Sequence, residues 1–481
     1  KGLFQDVDTI EKARRKVRII TNNLKASCLL LDHDGEQYLR MHDVVRDVAL
    51  QIASKGKHIF MAQAGFGLKK WPEQVNFDHC TAISLMANEL CELPDGLECP
   101  KLETLLLGRN KSCVSIPASF FEGMKGLRVL DLSHSQGFNG KTDLVQQQEW
   151  PKIQGTLLLP LSLQLLTNLR TLYLCDQVLG DVSIIGKLRK LEFLSFYNCE
   201  IHELPDEIGE LSNLRLLDLT DCYALERIPA GVISRLSKLE ELCIGGRSFR
   251  QWEVASTSKE QSNASLSELI TLSRLTILAV VIEDVICLPK DFHFRNLTRY
   301  NIGIGCDSGR YPNSNSLQLG QVCSPLPSAI KELLRRTEYL SLSWLGKCYH
   351  NIIPNIDQEG LEELKCLKLY CCDKMECLID TTQQKQLVAF PNLVELHLDG
   401  MNCMRVICCG QLPAGFLQKL RVFVATNCRK LCNIVPVLGS PYLEKVEIER
   451  CNKLQFFQQC EGILVEDEPS TLKELKLSYL P

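Results

Sequence analysis

Three features of this 481-residue sequence predict an α/β fold dominated by a solenoid: an apolar phrase that keeps returning after residue 80, the even interval between its copies, and an opening segment that does not repeat. The phrase is an apolar residue, two of any kind, an apolar residue, one of any kind, an apolar residue, then two more and often Cys or Asn. Leu102, Leu105, Leu107 and Asn110 carry it, as do Leu191, Leu194, Phe196 and Cys199, and Leu214, Leu217, Leu219 and Cys222. Later copies are Leu364, Leu367, Leu369 and Cys372, then Leu420, Phe423, Ala425 and Cys428, then Leu443, Val446, Ile448 and Cys451, with Leu472, Leu475 and Leu477 near the end. Residues two apart on a strand point the same way, so the paired apolar residues enter a common core and those between them face out. This is the leucine-rich repeat. One copy cannot bury its own apolar face, whereas stacked copies can, and the expected product is a horseshoe whose strands form a long parallel sheet on a concave surface.

The interval is 23 residues from Cys199 to Cys222 and from Cys428 to Cys451, and 25 from Asn110 to Ser135 and from Cys222 to Arg247. These fall within the roughly 20 to 29 residues of such repeats. Two longer gaps contain polar stretches, Gln136 to Gln154 and Phe249 to Ser267, which read as surface insertions.

Composition agrees with an interaction scaffold. A chain this long exceeds one compact core, and a solenoid escapes that limit by extending its core along one axis. The formal charge of −4 gives no bias toward nucleic acid or membrane surfaces. The most apolar run, Thr276 to Leu288, is interrupted by Glu283 and Asp284, so no membrane span is expected, and Lys1 to Asp8 lack the makeup of a signal peptide. Five of the 24 cysteines, Cys199, Cys222, Cys372, Cys428 and Cys451, share one repeat position, where a small buried side chain can satisfy turn backbone. With no CxxC pair to suggest zinc, the reading is reduced structural thiols, no metal site, and a reducing compartment, the cytosol.

The first 55 residues need their own account. Asp8 followed by Glu11 has capping-box character and opens an amphipathic helix with Ala13, Val17, Ile20 and Leu24 on one face. Leu29 to Leu31 read as a strand, Asp32 to Gly35 as a turn and Tyr38 to Met41 as the returning strand, followed by a helix with Val44, Val48 and Ile52 on one side. Helix, hairpin, helix fits the tail of a winged-helix domain at 1–55, with a linker at 56–79 and repeats over 80–481. Arg14, Arg15, Lys16 and Arg18 read as a solvated helix face, the competing reading being a nucleic-acid contact.

Met41, His42 and Asp43 stand where hairpin meets helix. Together with the flanking stretches LKASCLLL and MHDVVRDVALQIAS they resemble plant coiled-coil-type nucleotide-binding leucine-rich-repeat disease-resistance proteins, and the resemblance covers the whole chain as a C-terminal part. It implies that His42 contacts the β-phosphate of bound ADP and helps to hold an off state, with Met41 and Asp43 supporting its placement. An imidazole at a helix N-terminus adds a donor where anions are already favoured, while Asp43 also has a plain reading as helix N-cap. The chain departs from the family in having no GxxxxGK[ST] phosphate loop. The nearest miss is Gly140, Lys141 and Thr142, with Ser135 in place of the first Gly. ADP or ATP is therefore expected only in a longer protein.

No catalytic constellation stands out, since the nine His are scattered and the paired carboxylates have the pattern of solvated repeat surface, so the chain is not expected to be an enzyme. Outward strand positions form a row: Leu106, Asp131, Tyr173, Ser195, Asp218 and Cys243, and later Lys368, His397, Val424, Glu447 and Lys476. Phe193, Tyr197 and Tyr370 beside it either anchor a partner or pack between repeats, and both readings stand. The resemblance implies an intracellular immune receptor that senses a pathogen effector or a guarded host protein and contacts its own nucleotide-binding domain. Two alternatives remain: an extracellular repeat receptor, favoured by the sequons at Asn110, Asn263 and Asn296, and a winged-helix DNA-binding protein.

Overall fold

The computed structural model describes residues 7–479 apart from 33–38, 54–58, 73–76, 111–114, 135–154, 255–261, 290–292, 295, 309–313, 323–325, 346–348, 357–360, 383–388 and 455–470. The insertion expected over Gln136 to Gln154, the near-miss Gly140, Lys141 and Thr142, most of the turn at Asp32 to Gly35, and most of Lys1 to Asp8 lie outside the described residues. The chain forms two compact units. The first holds Lys1–Ile244 with Ser258–Ala264 and Glu268–Thr276, and the second holds Gly245–Thr257, Ser265–Ser267 and Ile277–Pro481.

The first unit opens with helix α1 (Ile10–Ala26). Its N-cap is Thr9, whose side chain accepts from the Lys12 amide at 3.2 Å. The start thus falls one residue beyond the Asp8 and Glu11 box, because Asp8 instead pairs with Lys12 one turn on, at 2.7 Å. Strands β1 (Leu31–Asp32) and β2 (Leu39–Arg40) pair antiparallel, and helix α2 (Asp43–Ala53) follows. Helix, hairpin and helix stand in the expected order, although β1 begins two residues late because the chain first turns through Cys28 at φ 56°.

A parallel ladder then runs through β3 (Ile59–Ala62), β4 (Cys80–Ser84), β5 (Thr104–Leu106), β6 (Val129–Asp131), β7 (Thr171–Tyr173), β8 (Phe193–Ser195), β9 (Leu216–Asp218) and β10 (Glu241–Ile244), each strand pairing with the next. Because β3 lies inside the stretch expected as a linker, the ladder begins at Ile59 rather than at residue 80. Leu105, Leu130, Leu172, Leu194, Leu217 and Leu242 occupy one register line and are fully buried. Truncating any one of them to Ala is expected to cost about 2–5 kcal/mol.

The Asn or Cys position has a clear geometric origin. At Ala87, Arg109, Asn198, Asp221, Cys371, Asn427 and Arg450, each just before an Asn or Cys of the phrase, the chain passes through the left-handed region. The next side chain is thereby turned inward, where it meets a carbonyl of the preceding repeat. Asn110 donates to Leu85 O at 3.1 Å and Leu107 O at 2.6 Å while accepting from the Leu90 amide at 3.3 Å. Cys199 donates to Leu174 O at 2.8 Å and Cys222 to Phe196 O at 3.0 Å. Among the described residues every cysteine is a free thiol. Asn88 closes a further copy, over Ile83 and Leu85, that the sequence reading did not single out.

The second unit carries its own parallel ladder: β11 (Ile277–Ile282), β12 (Arg299–Ile304), β13 (Ser316–Gly320), β14 (Tyr339–Ser343) and β15 (Cys366–Tyr370). Strands β16 (Ile379–Asp380) and β18 (Cys408–Cys409) pair apart from it, and it continues through β17 (Glu395–Asp399), β19 (Val422–Thr426), β20 (Lys445–Glu449) and β21 (Glu474–Ser478). Cys372, Cys428 and Cys451 donate to carbonyls of the preceding repeat, at 3.6, 3.8 and 3.6 Å. Two expectations are corrected here. Phe249 and Trp252, at the start of the second expected surface insertion, are buried, with rings edge to face at 5.1 Å and the indole N–H donating to Val281 O at 2.9 Å. An aromatic pair of this size gains more from burial than a surface loop allows. Leu475 and Leu477, expected in the core, are exposed, because no described strand follows β21 to cover them.

Candidate functional site

His42 is the residue at the start of α2. Its carbonyl accepts from the Arg46 amide at 2.9 Å, and its ring Nδ1 accepts from the Val44 amide at 3.3 Å, so His42 caps the helix, a role that one reading of the sequence gave to Asp43. Asp43 is instead the first helical residue and pairs with Arg46 at 3.2 Å. With Nδ1 accepting, the neutral ring carries its proton on Nε2, which makes His42 an exposed N–H donor at a helix N-terminus. Met41 is part-buried beside it. The apolar faces of both helices are open: Val17, Ile20, Val44, Val48 and Ile52 are between 44% and 68% exposed.

Helix α1 is fastened to the ladder of its own unit. Glu240, just before β10, accepts from the Ile10 amide at 2.7 Å, placing a carboxylate at the N-terminus of α1. Glu240 also accepts from Nε and Nη2 of Arg215, and the same Nη2 donates to the Asp8 carbonyl at 2.6 Å. Four residues into the helix, Arg14 makes a forked pair with Glu241 of β10. The basic cluster was read as a solvated face or a nucleic-acid contact, and for Arg14 the structure replaces both readings. Glu240 and Glu241 were not singled out. Their signal is two consecutive acids at the start of an apolar strand, where one of them must face the sheet's outward side.

On that side of the first unit the expected row is present and in register: Leu106, Asp131, Tyr173, Ser195, Asp218 and Cys243 lie side by side. It is not uniformly open. Ser195 is buried and donates to Asp218 at 3.1 Å, and Asp218 accepts from the Thr220 amide at 3.0 Å. Burial pushes the Asp218 carboxyl above the usual carboxylate range and outweighs those two hydrogen bonds. Tyr173 is 38% exposed, and burial raises its hydroxyl while the charge of Arg14 acts the other way. Phe193 and Tyr197 are part-buried.

In the second unit Ser341, Lys368, His397, Val424, Glu447 and Lys476 form one register line. Lys368 stacks over the Tyr339 ring at 5.3 Å, and Tyr370, two residues on, is 36% exposed. Glu447 pairs with Lys476 and with Lys445, and these cations hold its carboxyl below the usual range. Two register lines away on the same face, Cys366 and Glu395 sit opposite each other, and Cys366 donates to Glu395 at 3.5 Å. The His397 ring lies 3.3 Å from the same carboxylate and draws its pKa down, whereas burial lifts the Cys366 thiol to about 12.

Asn110 bears on one alternative. Its amide is buried and fully engaged in the turn, so that sequon cannot carry a glycan. No helix among the described residues is long and apolar enough to cross a membrane.

No family model matches the chain. A disease resistance protein of Arabidopsis thaliana is 28% identical over 512 residues, covering 100% of this chain and 49% of that protein. A probable disease resistance protein of the same plant is 29% identical over 511 residues, covering 100% and 52%. The chain thus spans about half the length of these curated relatives. Among solved structures, a leucine-rich-repeat protein of Leptospira interrogans shares the fold, with a TM-score of 0.54 and 20% identity over 85% of this chain and 93% of that one. With the repeat fold goes a similarity to Arabidopsis disease resistance proteins that runs along all of this chain.

Proposed function

We propose that this chain is the sensing part of a plant immune receptor and that it acts by recognition rather than catalysis. Its outward sheet positions, Tyr173, Phe193, Tyr197 and Asp218 in the first unit and Lys368, Tyr370, His397 and Glu447 in the second, contact a pathogen effector or a host protein modified by one. The module of α1, hairpin and α2 belongs to an ADP/ATP switch completed by a nucleotide-binding domain in the longer protein. In that setting His42 donates from Nε2 to the ADP phosphate, with Met41 and Asp43 fixing its position.

The observation that carries this reading is the fastening of α1 to the ladder through Glu240 and Glu241. A partner that competes for the outward face near β10 reaches the helix directly, and the helix leads through the hairpin to His42. The exposed apolar faces of α1 and α2 supply the surface that the nucleotide-binding domain covers.

The test is expression in leaves of a full-length receptor carrying these repeats. Replacing Glu240 and Glu241 together with Gln should produce cell death without a pathogen at normal protein abundance. Silence of that variant, with pathogen-triggered death intact, refutes the coupling.

A further inference from the structure

Cys366, Glu395 and His397 meet on the outward face of the second unit, with donor atoms close enough together to share one ion. The residues come from two adjacent strands: Cys366 opens β15, Glu395 stands directly across from it on β17, and His397 follows two residues on, on the same face. Their donor atoms all lie within 4.8 Å of one another. The thiol sulfur is 3.5 Å from Glu395 Oε2 and His397 Nε2 is 3.3 Å from that same oxygen.

Zinc bond lengths of about 2.3 Å to sulfur, about 2.0 Å to imidazole nitrogen and about 2.0 Å to carboxylate oxygen, set at the tetrahedral angle, separate sulfur from oxygen by about 3.5 Å and nitrogen from oxygen by about 3.3 Å. Two of the three edges of the ligand triangle are therefore already at coordination length. The third, from sulfur to nitrogen, is no longer than 4.8 Å. The donor set is sulfur, nitrogen and oxygen, which suits a borderline divalent ion and not Mg²⁺ or Ca²⁺, both of which prefer all-oxygen shells.

We infer that Cys366, Glu395 and His397 form a binding site for a divalent transition ion of the zinc type, with the fourth coordination position open to the outward face. Three protein ligands with one position left over is the arrangement of an exchangeable site, not of a closed structural one. The remaining position is available to water or to a His, Cys or carboxylate of a partner docked on the row that contains Lys368 and Glu447. Lys368 brings a positive charge close to both Cys366 and Glu395, which moderates affinity for a dication. Cysteine spacing gives no hint of the site, because its ligands come from different repeats, 29 and 31 residues apart in the chain.

The probe is Co²⁺ added to the full chain in a non-chelating reductant. The expected result is a 1:1 complex with a thiolate charge-transfer band and the visible absorption of tetrahedral cobalt, displaced by Zn²⁺ and untouched by excess Mg²⁺. Cys366→Ser should abolish the charge-transfer band. His397→Ala and Glu395→Ala should each weaken binding by at least the roughly tenfold that losing even an outer partner costs. Cys371→Ser, which removes a neighbouring thiol outside the triad, should change neither. His397→Ala keeps the test open if Cys366→Ser does not fold. A band of undiminished strength in both Cys366→Ser and His397→Ala, or absence of the 1:1 complex, would show that the three groups only hydrogen-bond to one another.

Discussion

Arg14 of α1 and Glu241 of β10, 227 residues apart, face each other as a fork, with Nη2 of the guanidinium 2.7 Å from Oε2 of the carboxylate. The Glu241 side chain is 4% exposed and that of Arg14 40%. Burying the carboxylate is costly unless a cation meets it, so the site on β10 in effect demands something like α1.

Removing the guanidinium should therefore free the helix. Breaking a fully buried pair costs about 3–5 kcal/mol, and because Arg14 is partly in water the expected loss for Arg14→Ala is nearer 1–3 kcal/mol. Hydrogen exchange should speed up in α1 while β5 to β8 keep their protection. The charge-swapped double variant Arg14→Glu with Glu241→Arg should recover part of the loss. Unchanged exchange in α1 would mean that Glu240 and the Ile10 amide hold the helix alone.

The repeat-position side chains should rank by the hydrogen bonds they make. Asn110 serves two carbonyls and one amide, all buried, and each group left unmet costs about 1–3 kcal/mol. Cys222 serves one carbonyl through a weak S–H donor. In urea unfolding Asn110→Ala should lose at least about 2 kcal/mol and Cys222→Ala about 1 kcal/mol. Because the thiols act as donors and Glu395 already links the other two groups of its triad, neither reductant nor chelator should change the circular dichroism. A large loss of structure in either would overturn this role for the cysteines.

Asp218 and Glu395 should respond to pH with opposite signs. Burial raises the native pKa of Asp218, so the folded state holds that proton more tightly than the unfolded one, and this group's contribution grows as pH falls through the native pKa. His397 lowers the native pKa of Glu395, so its contribution is present above the unfolded value and is lost as pH falls through the native one. Asp218→Asn should accordingly be more stable than the parent at pH 7, with the gap narrowing toward pH 4. Glu395→Gln should be less stable at pH 7, with its gap also narrowing in acid. A pH-independent gap in the first variant would mean that the hydrogen bonds from Thr220 and Ser195 cancel the effect of burial.

The core was legible because its code is local. Leu194, Phe196 and Cys199 announce strand, return and turn within six residues, and the register lines follow from stacking equal phrases. What was not legible depends on distant pairs. Nothing near Arg14 shows that a buried Glu241 waits more than 200 residues later, and β3 carries Gln63 where the third apolar residue of the phrase would stand. At His42 the sequence placed the junction of hairpin and helix, with the capping position offered to Asp43 as one reading. An Asp is the commoner cap, yet here the ring nitrogen of the preceding residue reaches the Val44 amide first. The Cys366, Glu395 and His397 cluster escaped because metal-site spacing is sought within one loop, and a solenoid can build it across two.

In the proposed receptor the switch and the reader should separate genetically. Nε2 of His42 would serve a phosphate only in the ADP state, so His42→Ala should destabilise that state selectively and shift the population toward signalling without a pathogen. His42 also caps α2, and loss of a cap costs about 1 kcal/mol, so His42→Asn, which can still accept from the Val44 amide, distinguishes a lost phosphate donor from a frayed helix. Replacing Lys368, Tyr370 or Glu447 with Ala should alter which partner is recognised while protein abundance stays level, since these side chains lie on the face opposite the core. A cell-death assay in leaves with an abundance blot reads both classes. If His42→Ala accumulates normally and stays silent until the pathogen is present, His42 is a helix cap and nothing more.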